Sequence, residues 1–144
     1  MNKHTIWVYW FATDISLAMG LTIWPEMLFV SMLLVLLHGI HLYIISPYVF
    51  SFPMQVRLVY LGLLVLGQLP YCSWINWVQL VGTTVLLSLD YCPLARILSL
   101  MPWNRSLVLS WKFVCAVFLS RPVKGSIIEH VSPEMVARLH PEIK

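Results

Sequence analysis

Between Met27 and Ile45, nineteen consecutive residues include no Asp, Glu, Lys or Arg. At about 1.5 Å per residue, a helix of that length reaches roughly 28 Å, close to the ~30 Å hydrocarbon core of a bilayer. Three more apolar stretches lie at residues 6–24, 55–69 and 74–89. Prolines punctuate them: Pro25 ends the first, Pro47 and Pro53 bracket the loop after the second, and Pro70 closes the third. Each lacks an amide donor and disfavours helix in the residue before it. No stretch alternates as a strand does, and helices satisfy their own backbone in lipid. The chain therefore reads as all-α, an integral membrane protein of about four transmembrane helices plus short cytoplasmic interfacial helices. Three spans, with 6–24 lying in the interface, is the alternative.

Of the 144 residues, 60% are hydrophobic and 10% charged, against about 25% charged in a soluble domain. So little charge cannot cover a water-facing surface, which makes the lipid bilayer the expected partner. Its distribution sets the orientation. Arg57 precedes the third span, and Arg96, Arg105, Lys112, Arg121 and Lys124 follow the fourth, while the turns at 24–27 and 70–73 carry no Lys or Arg. The positive-inside rule then places both termini in the cytoplasm. Asn104-Arg105-Ser106 matches a glycosylation acceptor, but on the wrong side for that chemistry. Residues 1–24 include Asp14 and no clear small-residue cleavage site, so they are expected to be retained. No basic run interleaves with aromatics, so nucleic acid is not an expected partner. Cys72, Cys92 and Cys115 form no C-x-x-C motif, and neither a disulfide framework nor a zinc site is expected.

Three regions follow: an N-terminal pair of membrane helices at 1–50, a membrane hairpin with an amphipathic exit helix at 51–105, and an interfacial segment and cytoplasmic tail at 106–144. In the exit helix Leu94, Ile97, Leu98 and Met101 share one face, and Pro93 suits the first turn. Such a helix fits the headgroup region. Segment 106–119 would reach only about 21 Å and has Lys112 near its middle, which favours a surface or partner-packed helix. In the tail, Ser132 and Pro133 resemble the start of a short capped helix.

Val56-Arg57-Leu58 opens the hairpin, Gly62 and Gly67 lie in its first helix, and Gly82 lies in its second. Cys92, then Leu94-Ala95-Arg96-Ile97-Leu98, then Met101-Pro102-Trp103-Asn104-Arg105 form its exit. On these residues, 56–105 resembles the two-helix membrane domain of the YgaP-like inner-membrane family, which is often fused to a rhodanese module. The resemblance implies a multi-pass protein of the bacterial inner membrane, N-in and C-in when joined to the charge pattern. It covers about a third of the chain. No rhodanese module is present, so sulfur transfer does not carry over, and Cys92 is the family-matched residue able to do thiol chemistry.

Four features could carry chemistry. Asp14 lies within a span, where an unpaired carboxylate costs about 2.5 kcal/mol or more. His38 and His41 share a helix face that Ser31 extends. Asp14 and His38 each lie eight residues inside their helices, about 12 Å deep. A hydrogen-bonded Asp14–His38 pair is therefore expected. It would be a proton-handling pair or part of a haem or metal site, set against the plainer reading of a polar clasp. Cys92, with Arg96 one turn on, could have a lowered pKa; the plainer reading is a small apolar residue at a span exit. The tryptophans could contact a pigment or quinone, but Trp7, Trp10, Trp24, Trp74, Trp77 and Trp103 fall near span ends, as interfacial anchors do.

No catalytic set and no metal site are expected, and no cofactor beyond haem or pigment contact, for which His38 and His41 are the candidates. Arg57, Arg96, Trp103 and Arg105 are read as topology and lipid contacts, and Arg96, Arg105, Lys112, Arg121 and Lys124 form a cytoplasmic basic band worth about 1 kcal/mol per charge at an anionic surface. The expected role is a non-enzymatic accessory or scaffold subunit that packs against a larger membrane complex or itself, with Gly39, Gly62, Gly67 and Gly82 available for close helix contact. The alternatives are a sulfur- or redox-linked protein using Cys92 and a small proton-linked transport subunit using Asp14 and His38.

Overall fold

The computed structural model describes residues 2–48, 50–104 and 111–119. These hold six helices and no strand: α1 (Lys3–Thr22), α2 (Met27–Ile45), α3 (Phe52–Leu66), α4 (Trp74–Leu89), α5 (Pro93–Ser99) and α6 (Trp111–Leu119). The all-α expectation holds for them, and the first four helices match the four apolar stretches to within a few residues. Arg105, residues 106–110, the basic tail residues and the Ser132 cap lie outside the described residues.

Helices α1 to α4 form a ring. α1 packs on α2 and α4, and α3 packs on the same two. Short connections make chain neighbours antiparallel, and the cross-helix pairs agree. Early α1 meets late α2 at Tyr9–His41, and the later part of α1 meets the beginning of α2 at Ser16–Ser31. His38 of α2 meets Arg57 near the start of α3, and Tyr60 of α3 meets Thr83 of α4. Asp14–Thr84 closes the ring between α1 and α4. Trp10, Leu17, Val35, Tyr60 and Leu64 form the apolar centre.

Two glycines set helix approach. A Cβ on Gly20 would lie 2.9 Å from the Leu28 backbone nitrogen, so α2 can start this close to α1 only because Gly20 has no side chain. Gly67 lies under the buried Asn76, whose Nδ2 donates to the Gly67 carbonyl at 3.2 Å. Of the other glycines expected at close contacts, Gly39 meets only Met54 at 3.8 Å, and Gly62 and Gly82 face open space.

α4 ends at Asp90, whose φ of 53° is the left-handed conformation that Asp tolerates better than most residues. Pro93 then starts α5 in a new direction, 98° from α4. α5 packs against α3, α4 and α6, with Leu98 of α5 and Phe113 and Val117 of α6 buried. A helix is thus present from Trp111 onward in the segment 106–119, and within this chain it packs on α5.

By length and composition, Met27–Ile45 is the one single helix among the described residues that is long and apolar enough to cross a membrane. Trp74–Leu89 and Pro93–Ser99 qualify only as a bent pair, and Phe52–Leu66 is shorter, at 15 residues. α1 has 20 residues, but Lys3, His4, Thr13, Asp14 and Ser16 dilute it. It packs along α2 and α4 as a full member of the ring.

Candidate functional site: the His38–Arg57 cluster

On α2, Ser31, Val35 and His38 recur on one face, and all three are buried. Tyr9 and Trp10 of α1 and Arg57 and Tyr60 of α3 close around His38. Arg57 Nη2 lies 2.9 Å from His38 Nε2. A guanidinium only donates, so Nε2 accepts and the imidazole proton sits on Nδ1. Arg57 Nη1 donates to the Pro53 carbonyl one turn back. The His38 ring stacks on Tyr9 at 4.5 Å and meets the edge of Trp10 at 5.7 Å. Trp10 also contacts Tyr60 at 5.0 Å, and the Arg57 guanidinium carbon sits 6.0 Å from its ring centre. Arg57 is only 6% exposed, its Nε has no partner, and no carboxylate pairs with it among the described residues. The cluster is thus a desolvated cation with one histidine acceptor, an aromatic wall and no anion.

The expected Asp14–His38 pair does not form. Thr84 Oγ1 lies 3.3 Å from both Asp14 carboxylate oxygens, and His38 turns to Arg57 instead. The depths match, but the rotation does not. The α1 face toward α2 carries Tyr9, Thr13, Ser16 and Gly20, and Asp14, about 100° round from Thr13, points to α4. The polar clasp between α1 and α2 is made by other residues. Ser16 and Ser31 hydroxyls meet at 2.8 Å, and the Tyr9 hydroxyl lies 3.2 Å from His41 Nδ1. With Nε2 engaged by Arg57, His38 has no free lone pair for haem or metal. The described residues hold no group of three potential metal ligands.

Arg57 and Arg96, expected among the outward topology and lipid contacts, are both turned inward. Arg96 is 4% exposed, sits 4.1 Å over the Tyr91 ring and donates to the Val117 carbonyl. Tyr91 adds a hydroxyl bond to the Phe118 carbonyl at 3.0 Å, so this pair holds α6 in place. Trp10, expected as an interfacial anchor, belongs to the core. Trp7, Trp24, Trp74, Trp77 and Trp103 are exposed. Trp103 Nε1 and Asn104 Nδ2 both donate to Gln55 Oε1, at 3.2 and 2.7 Å, tying the exit segment to the start of α3.

Cys92 caps α5, and its Sγ accepts the Ala95 amide at 3.4 Å. Burial pushes this thiol above the usual range. The amides of Ala95 and Leu94 and the charges of Arg57 and Arg96 pull the other way without overcoming it. The expectation of a lowered pKa is thereby corrected, because desolvation outweighs the nearby cations. In a chain with Cys72 and Cys115 replaced by serine, iodoacetamide should modify Cys92 more slowly than a free thiol at pH 7.5. The rate should rise only at pH values above those that activate free cysteine. A rate equal to or above that of free cysteine at neutral pH would contradict the burial argument.

Sequence reasoning missed the inward face of α4. Asn76, Gln79 and Thr83 stand at helical spacing in an otherwise apolar segment, and all three are buried. Gln79 Nε2 donates to the Tyr60 carbonyl at 3.0 Å. Thr83 gives its one hydroxyl proton to the Gln79 carbonyl, so the Tyr60 hydroxyl, 2.8 Å away, is the donor to Thr83. That spacing was the available signal.

No protein-family model matches the chain, and no curated protein or solved structure shows significant similarity to it.

Proposed function

We propose that the chain is a small integral membrane protein whose first four helices span a bacterial inner membrane, N-in and C-in, and that it acts as an accessory or scaffold subunit packed against another membrane protein. The carrying observation is an inverted distribution of polarity. Among the described residues, ten polar residues and nine apolar ones are buried, while Phe29, Leu33, Ile44, Val65, Val78 and Val81 are each more than half exposed. In water both halves of that pattern are unfavourable: polar groups lose hydration and large apolar patches stay wet. In lipid both become favourable, because backbone and polar side chains must find partners inside. Trp24, Trp74 and Trp77 at one end, and Trp7 and Trp103 at the other, fit two interfacial belts.

The accessory role follows from the outer faces of α3 and α4. Gly62 and Gly82 sit among exposed apolar side chains with nothing within 4 Å of an added Cβ, which leaves room for a partner helix to approach. The likeness of 56–105 to the YgaP-like hairpin supports the same location, since its exit residues form the Cys92 cap, the Arg96 lock and the tie to Gln55. In a cysteine-free background, Tyr71→Cys should react with an impermeant maleimide on intact cells, and Lys3→Cys only after permeabilisation. Equal labelling of both from outside would overturn the topology. A photo-crosslinker at Gly62→Cys in native membranes should give one discrete adduct; recovery of uncrosslinked chain alone would overturn the accessory role.

A further inference from the structure

At the end of the bundle that holds the start of α1, a crevice of about 440 Å³ opens between α1, α3, the end of α4 and α5. Ile6, Phe52, Val56, Leu86 and Leu87 give it apolar walls, and Arg57 lines it. We propose that this crevice binds the phosphate headgroup of an anionic phospholipid, with Arg57 as the cation that receives it. The proposal rests on the membrane reading above.

Four observations point to this occupant. First, Arg57 is a nearly fully buried cation with no carboxylate partner among the described residues. A charge so placed is costly unless an anion joins it, and a guanidinium matches phosphate in geometry and hydrogen bonding. Second, His38 and the Pro53 carbonyl each take one terminal nitrogen of Arg57, which fixes the guanidinium against the aromatic wall. Third, Lys3 and Asp90 also line the crevice, 3.8 Å apart and both well exposed, so Lys3 can turn from Asp90 to a second phosphate oxygen at little cost, and two cations against one carboxylate leave the lining net positive. Fourth, the walls are apolar and Trp7 is exposed beside them. An inorganic anion gains nothing from such walls, whereas the glycerol and upper acyl chains of a lipid do. Charge and surface together select an amphiphile over a free ion.

The test uses the full chain, purified in a mild detergent and stripped of lipid, then titrated with phosphatidylglycerol or phosphatidylcholine and read by native mass spectrometry. The expected result is one retained phosphatidylglycerol under conditions that remove phosphatidylcholine. Arg57→Gln should reduce retention at least tenfold, and Lys3→Gln by a smaller factor. Because Arg57→Gln also disturbs the bundle, Ala95→Phe is the second variant. It fills the crevice, leaves every charge in place, and should reduce retention with an unchanged unfolding midpoint. Equal retention of both lipids would overturn the proposal, as would retention unaffected by Arg57→Gln and Ala95→Phe. Inorganic phosphate that displaces the lipid at millimolar concentration would show a free-anion site and overturn the lipid assignment. A carbonate wash of native membranes checks the underlying reading separately: release of the chain would refute the membrane location, while retention without lipid selectivity would refute only this site.

Discussion

Replacing His38 by leucine is expected to destabilise the bundle by about 3 kcal/mol, and adding Arg57→Met to that chain is expected to recover part of the loss. His38 Nε2 is the side-chain acceptor for a guanidinium that is almost wholly buried. A hydrogen bond to a charged group is worth about 1.5–3 kcal/mol, and removing one partner leaves the other charge desolvated and unmatched. The substitution also removes the stack on Tyr9 and the edge contact with Trp10, each worth roughly 0.5–1.5 kcal/mol. Methionine at position 57 keeps an extended apolar chain against Trp10 but carries no charge to strand. Alone, it leaves the neutral Nε2 of His38 without a donor, a cost of about 1–3 kcal/mol. Unfolding midpoints of the four proteins of this cycle, measured in lipid-free detergent micelles, give the coupling directly. A coupling of at least about 1.5 kcal/mol is expected for a charge-assisted bond of this kind. Additive losses would mean that the two side chains do not act as a pair.

Gly67→Ala should cost about 2–3 kcal/mol, while Gly62→Ala, five residues earlier and inside the helix that Gly67 caps, should be neutral or stabilising by about 0.5–1 kcal/mol. A methyl group on Gly67 would overlap the side-chain amide of Asn76, which is 1% exposed and bonded back to the Gly67 carbonyl. To make room, Asn76 must leave, which strands that carbonyl and opens the α3–α4 turn. Gly62 faces open space, so alanine there brings only its better helix propensity. The same substitution is compared at an open position inside α3 and at its crowded C-cap. Equal effects at the two positions would rule out the close approach at Gly67.

The helices themselves were legible because prolines and apolar runs mark where each begins and ends. Rotation about their axes was not. In a water-soluble bundle the apolar stripe announces the buried face; here the segments are apolar nearly all round, and the informative marks are the few polar residues. Ser31 and His38 were read this way and do face inward. Asn76, Gln79 and Thr83 carry the same signal on α4 and went unread. Asp14 was placed at the right depth but paired across the wrong interface, because spacing from a helix end fixes height and not azimuth. Arg57 reads as a boundary charge at the entry to the third span; nothing local reveals that His38, nineteen residues earlier, supplies its acceptor. At Cys92, nearby cations can be counted from sequence, whereas the larger effect, burial between helices, depends on packing.

The closure of the ring between α1 and α4 sets an order of assembly. Chains are made from the N-terminus, and contacts between residues far apart in sequence must wait for the later residue. The α1–α2 clasp and the His38–Arg57 bond can form once α3 exists, but Asp14 meets Thr84 only after 70 further residues have been added. Until then the Asp14 carboxylate has no helix to face. The nascent protein therefore passes through a three-helix stage with one open, acid-bearing flank.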